Sequence, residues 1–264
     1  MEHEDFSVYN GDGTQLRKAQ LVMLEILKQV DVVCKKHKID YLLDGGTCLG
    51  AVRHGGFIPW DDDIDINVRR SDMKRLRKAL QSELPGNLYF QDKSTDKHYC
   101  WEFAKVRDRN TIFMEEGNDG GESQGVYIDI IPIEPFFSLK SKKMIDFFYA
   151  RSCRGIRHFY TYKKKDIVIA YLLWVPVRTI VAVYRLMVRI FKPKMWGHVF
   201  GWESYNCIEE KYMFPVKNMV FEGVEVLGPN NPDAFLTALF GNYMRIPPKE
   251  RRVTHAMKIV FLNE

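Results

Sequence analysis

The sequence predicts an α/β protein, a mixed β-sheet with helices packed on it and a basic helical segment inserted after residue 140. Three observations lead to that class. Apolar residues at helical spacing alternate along the chain with short apolar strands bounded by Gly and Pro. Residues 42–66, LLDGGTCLGAVRHGGFIPWDDDIDI, set a Gly-Gly turn about one helix's length ahead of clustered carboxylates. Positive charge and aliphatic bulk are interleaved over residues 140–194.

Leu16, Ala19, Met23, Ile26, Leu27, Val30 and Val33 recur as the stripe of an amphipathic first helix, with His37 at its polar edge. Ile39, Tyr41 and Leu43 then alternate as a short strand ending at Gly45-Gly46, after which Thr47 is placed to cap a helical stretch through Leu49, Ala51 and Val52. A Pro59-Trp60 bend leads to the alternating run Asp63-Ile64-Asp65-Ile66-Asn67-Val68, a half-buried strand. Ser71 caps a second helix to about Leu84, where Leu84-Pro85-Gly86-Asn87 stops it. Strands are expected over about 99–107 and 111–114. The Gly- and acid-rich stretch 115–125 follows and reads as a solvated loop or a lid. Val126-Tyr127-Ile128-Asp129-Ile130-Ile131 has the composition of a buried strand. Beyond it the pattern is helical to about residue 208. The expected division is a core at 1–139, a basic helical insertion at 140–205 and a segment at 206–264 that packs on the core.

On the alternating strand Asp63 and Asp65 point to one face, about 7 Å apart, while Ile64, Ile66 and Val68 point to the other. Two acids so placed can converge on one cation, and Mg²⁺, with Mn²⁺ as the alternative, supplies the counter-charge that their repulsion requires. A solvated acidic turn would not carry Ile at every second position. The glycines let backbone approach a phosphate, and a helix start adds N–H donors, so Gly45, Gly46 and Thr47 are phosphate candidates; alone, a Gly-Gly pair is a plain turn. Asp129 is one charge in an apolar strand and needs a metal, a cation or a full set of hydrogen bonds. It reads as the third ligand or as a general base, with a capped strand-end acid before Pro132 as the bland alternative.

The chain of 264 residues is long enough for a sizeable core. Cys34, Cys48, Cys100, Cys153 and Cys207 are scattered and form no Cys-x-x-Cys pair, which argues against zinc and a disulfide framework and fits a reducing compartment. The polar, acidic N-terminal stretch does not look like a signal peptide, so a cytoplasmic protein is expected. The net charge of +5 conceals an asymmetry: residues 140–194 hold fourteen Lys or Arg and two acids, a net +12, leaving −7 for the remainder. The longest uncharged run there, 167–177, is too short to span a bilayer, which takes roughly twenty residues. Apolar helices studded with Arg fit the inner face of an anionic membrane, or equally a helical pair packed on the core with its basic residues in water. Phe159, Tyr160 and Tyr162 among basic residues raise nucleic-acid binding, but the aliphatic content is too high for a phosphate-tracking surface, and no nucleic-acid partner is expected.

A hydrophobic-Gly-Gly turn, an Asp-x-Asp strand and a lone acid on a later strand together resemble the nucleotidyltransferase superfamily. More closely, DGGTCLGAVRHGGFIPWDDDIDI resembles the LicD family of phosphocholine and related phospho-alcohol transferases, which includes fukutin-type proteins; Cys48 and Gly55 are minor departures. Phe103-Ala104-Lys105-Val106-Arg107, Gly125-Val126-Tyr127-Ile128-Asp129-Ile130, Phe221-Glu222-Gly223 and Phe240-Gly241-Asn242-Tyr243-Met244 are similar to further segments of that family. The similarity runs over roughly 16–255 and is weakest over about 140–205.

The resemblance implies a nucleotidyltransferase-like core and a CDP-linked donor, such as CDP-choline, whose diphosphate binds Mg²⁺ held by Asp63, Asp65 and Asp129. The acceptor it implies is a hydroxyl of a glycan, of the lipopolysaccharide or teichoic acid kind, or of its lipid-linked precursor. Arg53, Lys105 and Arg107 are the candidates for offsetting charge as CMP leaves, and Asp61 for binding substrate, with Asp62 facing away. Asp44 and His54 are further pocket candidates, and His255 matches the family's C-terminal segment. Choline is held by aromatic faces, for which Trp60, Tyr99, Trp101 and Tyr127 are available, each also an ordinary core residue. Nucleotidyl transfer from an NTP, or a membrane-surface binding protein that keeps the fold without the chemistry, are the competing readings.

Overall fold

The computed structural model describes residues 5–262 other than 100, 116–124, 158–163, 202–206, 253 and 255. The loop at 115–125, the aromatic residues Phe159, Tyr160 and Tyr162, and His255 therefore lie wholly or mostly outside the described residues.

A short helix α1 (Ser7–Asn10) precedes α2 (Gln15–Lys36), which Thr14 caps by accepting the Arg17 N–H and which buries Ala19, Met23, Ile26, Leu27, Val30 and Val33 along one face. Strand β1 (Tyr41–Leu43), helix α3 (Gly45–His54) and strand β2 (Asp65–Arg69) follow, then α4 (Met73–Glu83), β3 (Leu88–Gln91), β4 (Ala104–Asp108), β5 (Thr111–Glu115) and β6 (Tyr127–Phe136). Two long helices, α5 (Leu139–Arg157) and α6 (Lys164–Phe191), lead to β7 (Met195–His198) and β8 (Ile208–Glu209). The chain continues through α7 (Glu210–Met213), the hairpin β9 (Lys217–Phe221) and β10 (Val224–Gly228), α8 (Pro232–Phe240) and β11 (Ala256–Phe261).

The main sheet has the order β1-β2-β6-β4-β3, with β7 and β8 added beyond the second half of β6. β2 and β6 are parallel and the other pairs antiparallel, which makes the sheet mixed and the fold α/β, as the sequence pattern predicts. β6 is the longest strand and changes partner along its length: residues 127–130 pair with β4, residues 133–136 with β7. Pro132 stands at the changeover, where a missing N–H costs the ladder least. Its carbonyl accepts the Val199 N–H instead. The strand therefore does not end near Pro132, and Asp129 is not a strand-end residue.

Three further expectations are corrected. β3 is an unforeseen strand, and the strand expected from about residue 99 begins only at Ala104. The helical pattern ends at Phe191, because β7 returns to the main sheet well before residue 208. Helix α4 starts after Asp72, without a side-chain cap from Ser71.

α2 covers one side of the sheet and contributes to a large core with Tyr41, Leu43, Ile64, Ile66, Val68, Val106 and Ile128. A smaller core of Phe136, Ile145, Tyr149, Val177, Val181 and Phe200 lies under the α5–α6 pair. Arg185 on α6 ties that pair to β6 by a two-pronged contact with Glu134 at 2.7 and 2.8 Å, and Arg70 joins the same carboxylate at 2.6 Å. Cys34, Cys48 and Cys207 are free thiols. Among the described residues no helix is long and apolar enough to cross a membrane.

Glu222 sits in the two-residue turn between β9 and β10, where it and Gly223 both have positive φ, the geometry of a type I′ hairpin. Its carboxylate accepts the Phe57 N–H at 3.0 Å and an Arg17 guanidinium N–H at 2.7 Å, while its own N–H reaches Gly55 O at 2.9 Å. The C-terminal hairpin thus clamps the loop that leads from α3 to the acids.

Candidate active site

Parity along the strands decides which side chains meet. Asp65 on β2 and Asp129 on β6 are register partners, and Lys105 on β4 is the register partner of Asp129, so all three share one face. Asp63 lies one alternation ahead of Asp65; between them Ile64 is fully buried on the opposite face, and its carbonyl accepts the Asp129 N–H at 2.8 Å. Lys105 Nζ stands 2.8 Å from Asp129 Oδ1 and 3.2 Å from the Tyr127 ring centroid.

The first turn of α3 abuts these acids. Asp44 N–H donates to Asp65 O at 3.0 Å, and the Thr47 hydroxyl accepts the Asp65 N–H at 2.9 Å. Thr47 is therefore inside a helix that begins at Gly45, and its hydroxyl secures the start of β2 in place of capping α3. Gly45 has φ +45°, and a Cβ on it would stand 3.9 Å from Asp65 Oδ2; one on Gly46 would meet Asp61 Oδ2 at 2.7 Å. The glycines let the helix N-terminus and two carboxylates approach one another without side chains between them.

That crowding has an electrostatic consequence. Burial, then the charges of Asp63, Asp129 and Asp44, push the Asp65 carboxyl well above the usual carboxylate range, with Lys105 opposing. Burial and the neighbours Asp63 and Asp62 raise Asp61 likewise, with Arg53 opposing. A diphosphate brought against α3 would add negative charge at the same spot. A hard divalent cation held by Asp63 and Asp65 would offset this charge, and their oxygen donors fit Mg²⁺ or Mn²⁺. Among the described residues no three His, Cys, Asp or Glu side chains form a ready-made cage, so the carboxylates would supply part of a shell that water and phosphate oxygens complete.

Other sequence candidates are placed elsewhere. Arg53 gives its guanidinium to the carbonyls of Tyr243 at 2.8 Å and Arg245 at 3.4 Å and to His54 Nε2 at 2.9 Å, so it straps the C-terminal segment to α3. Arg107 shares a strand face with Lys105 but bonds Gln91 Oε1 at 2.6 Å and Gly125 O at 2.9 Å, fixing the start of β6. Of the three cations, Lys105 forms an ion pair with an acid of the site, while Arg53 acts on Asp61 through its charge. The Trp60 ring is enclosed by Phe6, Tyr9, His54 and Arg252, which makes it a packing residue against α1. His54 belongs to that cluster, and burial and Arg53 push its imidazole down to about 4. Tyr127 presents its ring to Lys105 and Arg107, which leaves Tyr99 and the half-exposed Trp101, both beside Phe103, as the aromatic group nearest in sequence to Lys105. Asp62 turns away and accepts the Ala256 N–H.

Two residues of this face escape sequence reasoning. His198, at the end of β7, shares the face of Asp129 through its register with Ile133, and its Nε2 is 2.8 Å from Asp44 Oδ2. Asn67, two residues beyond Asp65, is buried with an Oδ1 that has no hydrogen-bond partner among the described residues. An alternating Trp196-Gly197-His198 run was the available signal for the first.

A mixed sheet with carboxylates in register on neighbouring strands, backed by a Gly-Gly helix start, defines a nucleotidyltransferase-type domain. The chain belongs to the LicD/FKTN/FKRP family, whose nucleotidyltransferase-domain description matches residues 38–231. It is 30% identical over 262 residues to the lipopolysaccharide cholinephosphotransferase LicD of Haemophilus influenzae, covering 94% of this chain and 98% of that one. It is also 28% identical over 111 residues to the ribitol 5-phosphate transferase FKRP of Homo sapiens and of Mus musculus, covering 42% of this chain and 20% of theirs.

Proposed function

We propose that the protein transfers a phospho-alcohol, phosphocholine or a relative such as ribitol phosphate or glycerol phosphate, from a CDP-linked donor to a hydroxyl of a cell-surface glycan or its lipid-linked precursor. The names of the relatives support the class, since one is a cholinephosphotransferase and the other a ribitol 5-phosphate transferase. The observation that carries the reading is the in-register pair Asp65 and Asp129, with Asp63 one alternation away, at the bare N-terminus of α3.

The first intrahelical bond of α3 runs from Cys48 N–H to Asp44 O, so the N–H groups of Gly45, Gly46 and Thr47 lie outside the helix ladder and would be the donors to a bound diphosphate. Asp63 and Asp65 would hold Mg²⁺, which when bound would neutralise the diphosphate and favour departure of CMP. The acceptor oxygen bonds to phosphorus in line with the departing CMP oxygen, and its proton passes to the Asp129 carboxylate. Lys105 remains beside Asp129 as the fixed positive charge of the site.

The test is CMP release from CDP-choline, CDP-ribitol and CDP-glycerol, each with and without Mg²⁺ and a crude glycan acceptor. Cation-dependent CMP from one donor, absent in a folded Asp63→Asn, Asp65→Asn variant, is the expected result. Pyrophosphate release from an NTP would replace this reading with nucleotidyl transfer, and unchanged turnover in the double variant would remove the acids from the chemistry.

A further inference from the structure

Helix α6 reverses the pattern of a helix on a protein surface. Its buried stripe is Ala170, Val177, Val181 and Val188, with Leu173 and Tyr184 partly covered, and the opposite face should then be polar. Instead it exposes Leu172, Val175, Ile180, Val183, Leu186 and Ile190, each between 52% and 71%. Met144 and Phe147 on neighbouring α5 are similarly exposed. An uncovered aliphatic row along a helix about 42 Å long is larger than the scattered apolar residues of an ordinary surface.

Charge selects the occupant. Residues 140–194 carry a net +12, and of their two acids Asp146 is buried against Lys142 at 2.6 Å. Arg189 and Lys192 flank the aliphatic row at the end of α6, and Lys143 and Arg151 are exposed on α5. A second copy would bring two such cationic surfaces together, which costs energy. Among the described residues no helix is long and apolar enough to cross a membrane. Aliphatic side chains bordered by cations, with little acid, complement the acyl boundary and phosphate headgroups of an anionic membrane.

We propose that the α5–α6 pair lies in the interface of an anionic lipid membrane, with the exposed aliphatic row of α6 in the acyl boundary and Arg189, Lys192 and Lys143 at the lipid phosphates. The interaction needs no turnover and stands or falls apart from the transfer reaction.

The test is co-sedimentation of the full chain with vesicles of phosphatidylcholine and phosphatidylglycerol in equal parts, and with phosphatidylcholine alone. The expected result is retention on the anionic vesicles. A Leu172→Gln, Val175→Gln, Ile190→Gln variant should bind them about a hundredfold more weakly or worse. An Arg189→Gln, Lys192→Gln variant should lose about tenfold or more on anionic vesicles alone, and serves if the first variant fails to fold. Folded wild-type protein that stays in the supernatant with both vesicles overturns the proposal, as does a folded aliphatic variant that binds unchanged. A lipid-free dimer that the aliphatic variant abolishes, without vesicle binding, overturns it in favour of a second copy. CMP release measured on the same samples separates loss of docking from loss of transfer.

Discussion

Lys105 and Asp129 face one another in register across β4 and β6, both buried, with 2.8 Å between Nζ and Oδ1. A buried ion pair is costly to break from one side because the remaining charge has no compensation. Lys105→Met is expected to destabilise the fold by about 3–5 kcal/mol in urea titrations. Adding Asp129→Leu to it should restore much of that stability and none of the CMP release.

Asp65 gives the opposite sign. Its carboxyl is raised in the fold, so the folded state binds more protons than the unfolded one, and the cation-free protein gains stability as pH falls through the folded value. Asp65→Asn should remove that dependence and raise the melting temperature at neutral pH without divalent cation, while lowering transfer by at least about a hundredfold. Mg²⁺ should raise the melting temperature of the wild type and leave that of the variant unmoved.

His198 holds Asp44 from β7, and Asp44 in turn sets the start of α3 against Asp65. Loss of such an outer partner typically weakens a metal site by 10- to 100-fold. His198→Leu is therefore expected to raise the Mg²⁺ concentration needed for half-maximal CMP release by about that factor. His198→Gln, which keeps a donor near Asp44, should lose less. Equal requirements in both variants and wild type would make the contact a packing detail.

For His54 the protonation linkage runs with acid. An unfolded histidine takes up its proton near 6.5, but burial and Arg53 hold the folded group down to about 4. The unfolded state thus binds more protons between those values, and the stability that neutral His54 contributes is lost as pH falls through them. Denaturant midpoints at about pH 7 and about pH 5 should differ less for His54→Gln than for wild type.

The alternation of Asp63 and Asp65 with Ile64, Ile66 and Val68 could be read from the chain because strand parity is local. Parity does not give the choice between Lys105 and Arg107, in which only the family resemblance favours Lys105. They occupy the same face of one strand, and the cross-strand register, which sets Lys105 against Asp129 and Arg107 against Tyr127, separates them. Pro132 misled for a related reason: it stops a strand with one fixed partner but not one that changes partner there. His198 was hidden because its contact spans 154 residues and because a short strand directly after a long apolar helix inherits the helical pattern in a window. Trp60 stands just before the acids in sequence, but its ring packs with Phe6, Tyr9, His54 and Arg252.

Glu222 closes on Phe57 across 165 residues of chain, and it is made after every acid of the site. During synthesis the loop that aims Asp61 and Asp63 can take up its contacts with Gln20 and with Phe6 and Tyr9 early, but the Glu222 clamp forms only once the β9–β10 hairpin has left the ribosome. A nascent chain therefore completes the α5–α6 pair before that loop is clamped.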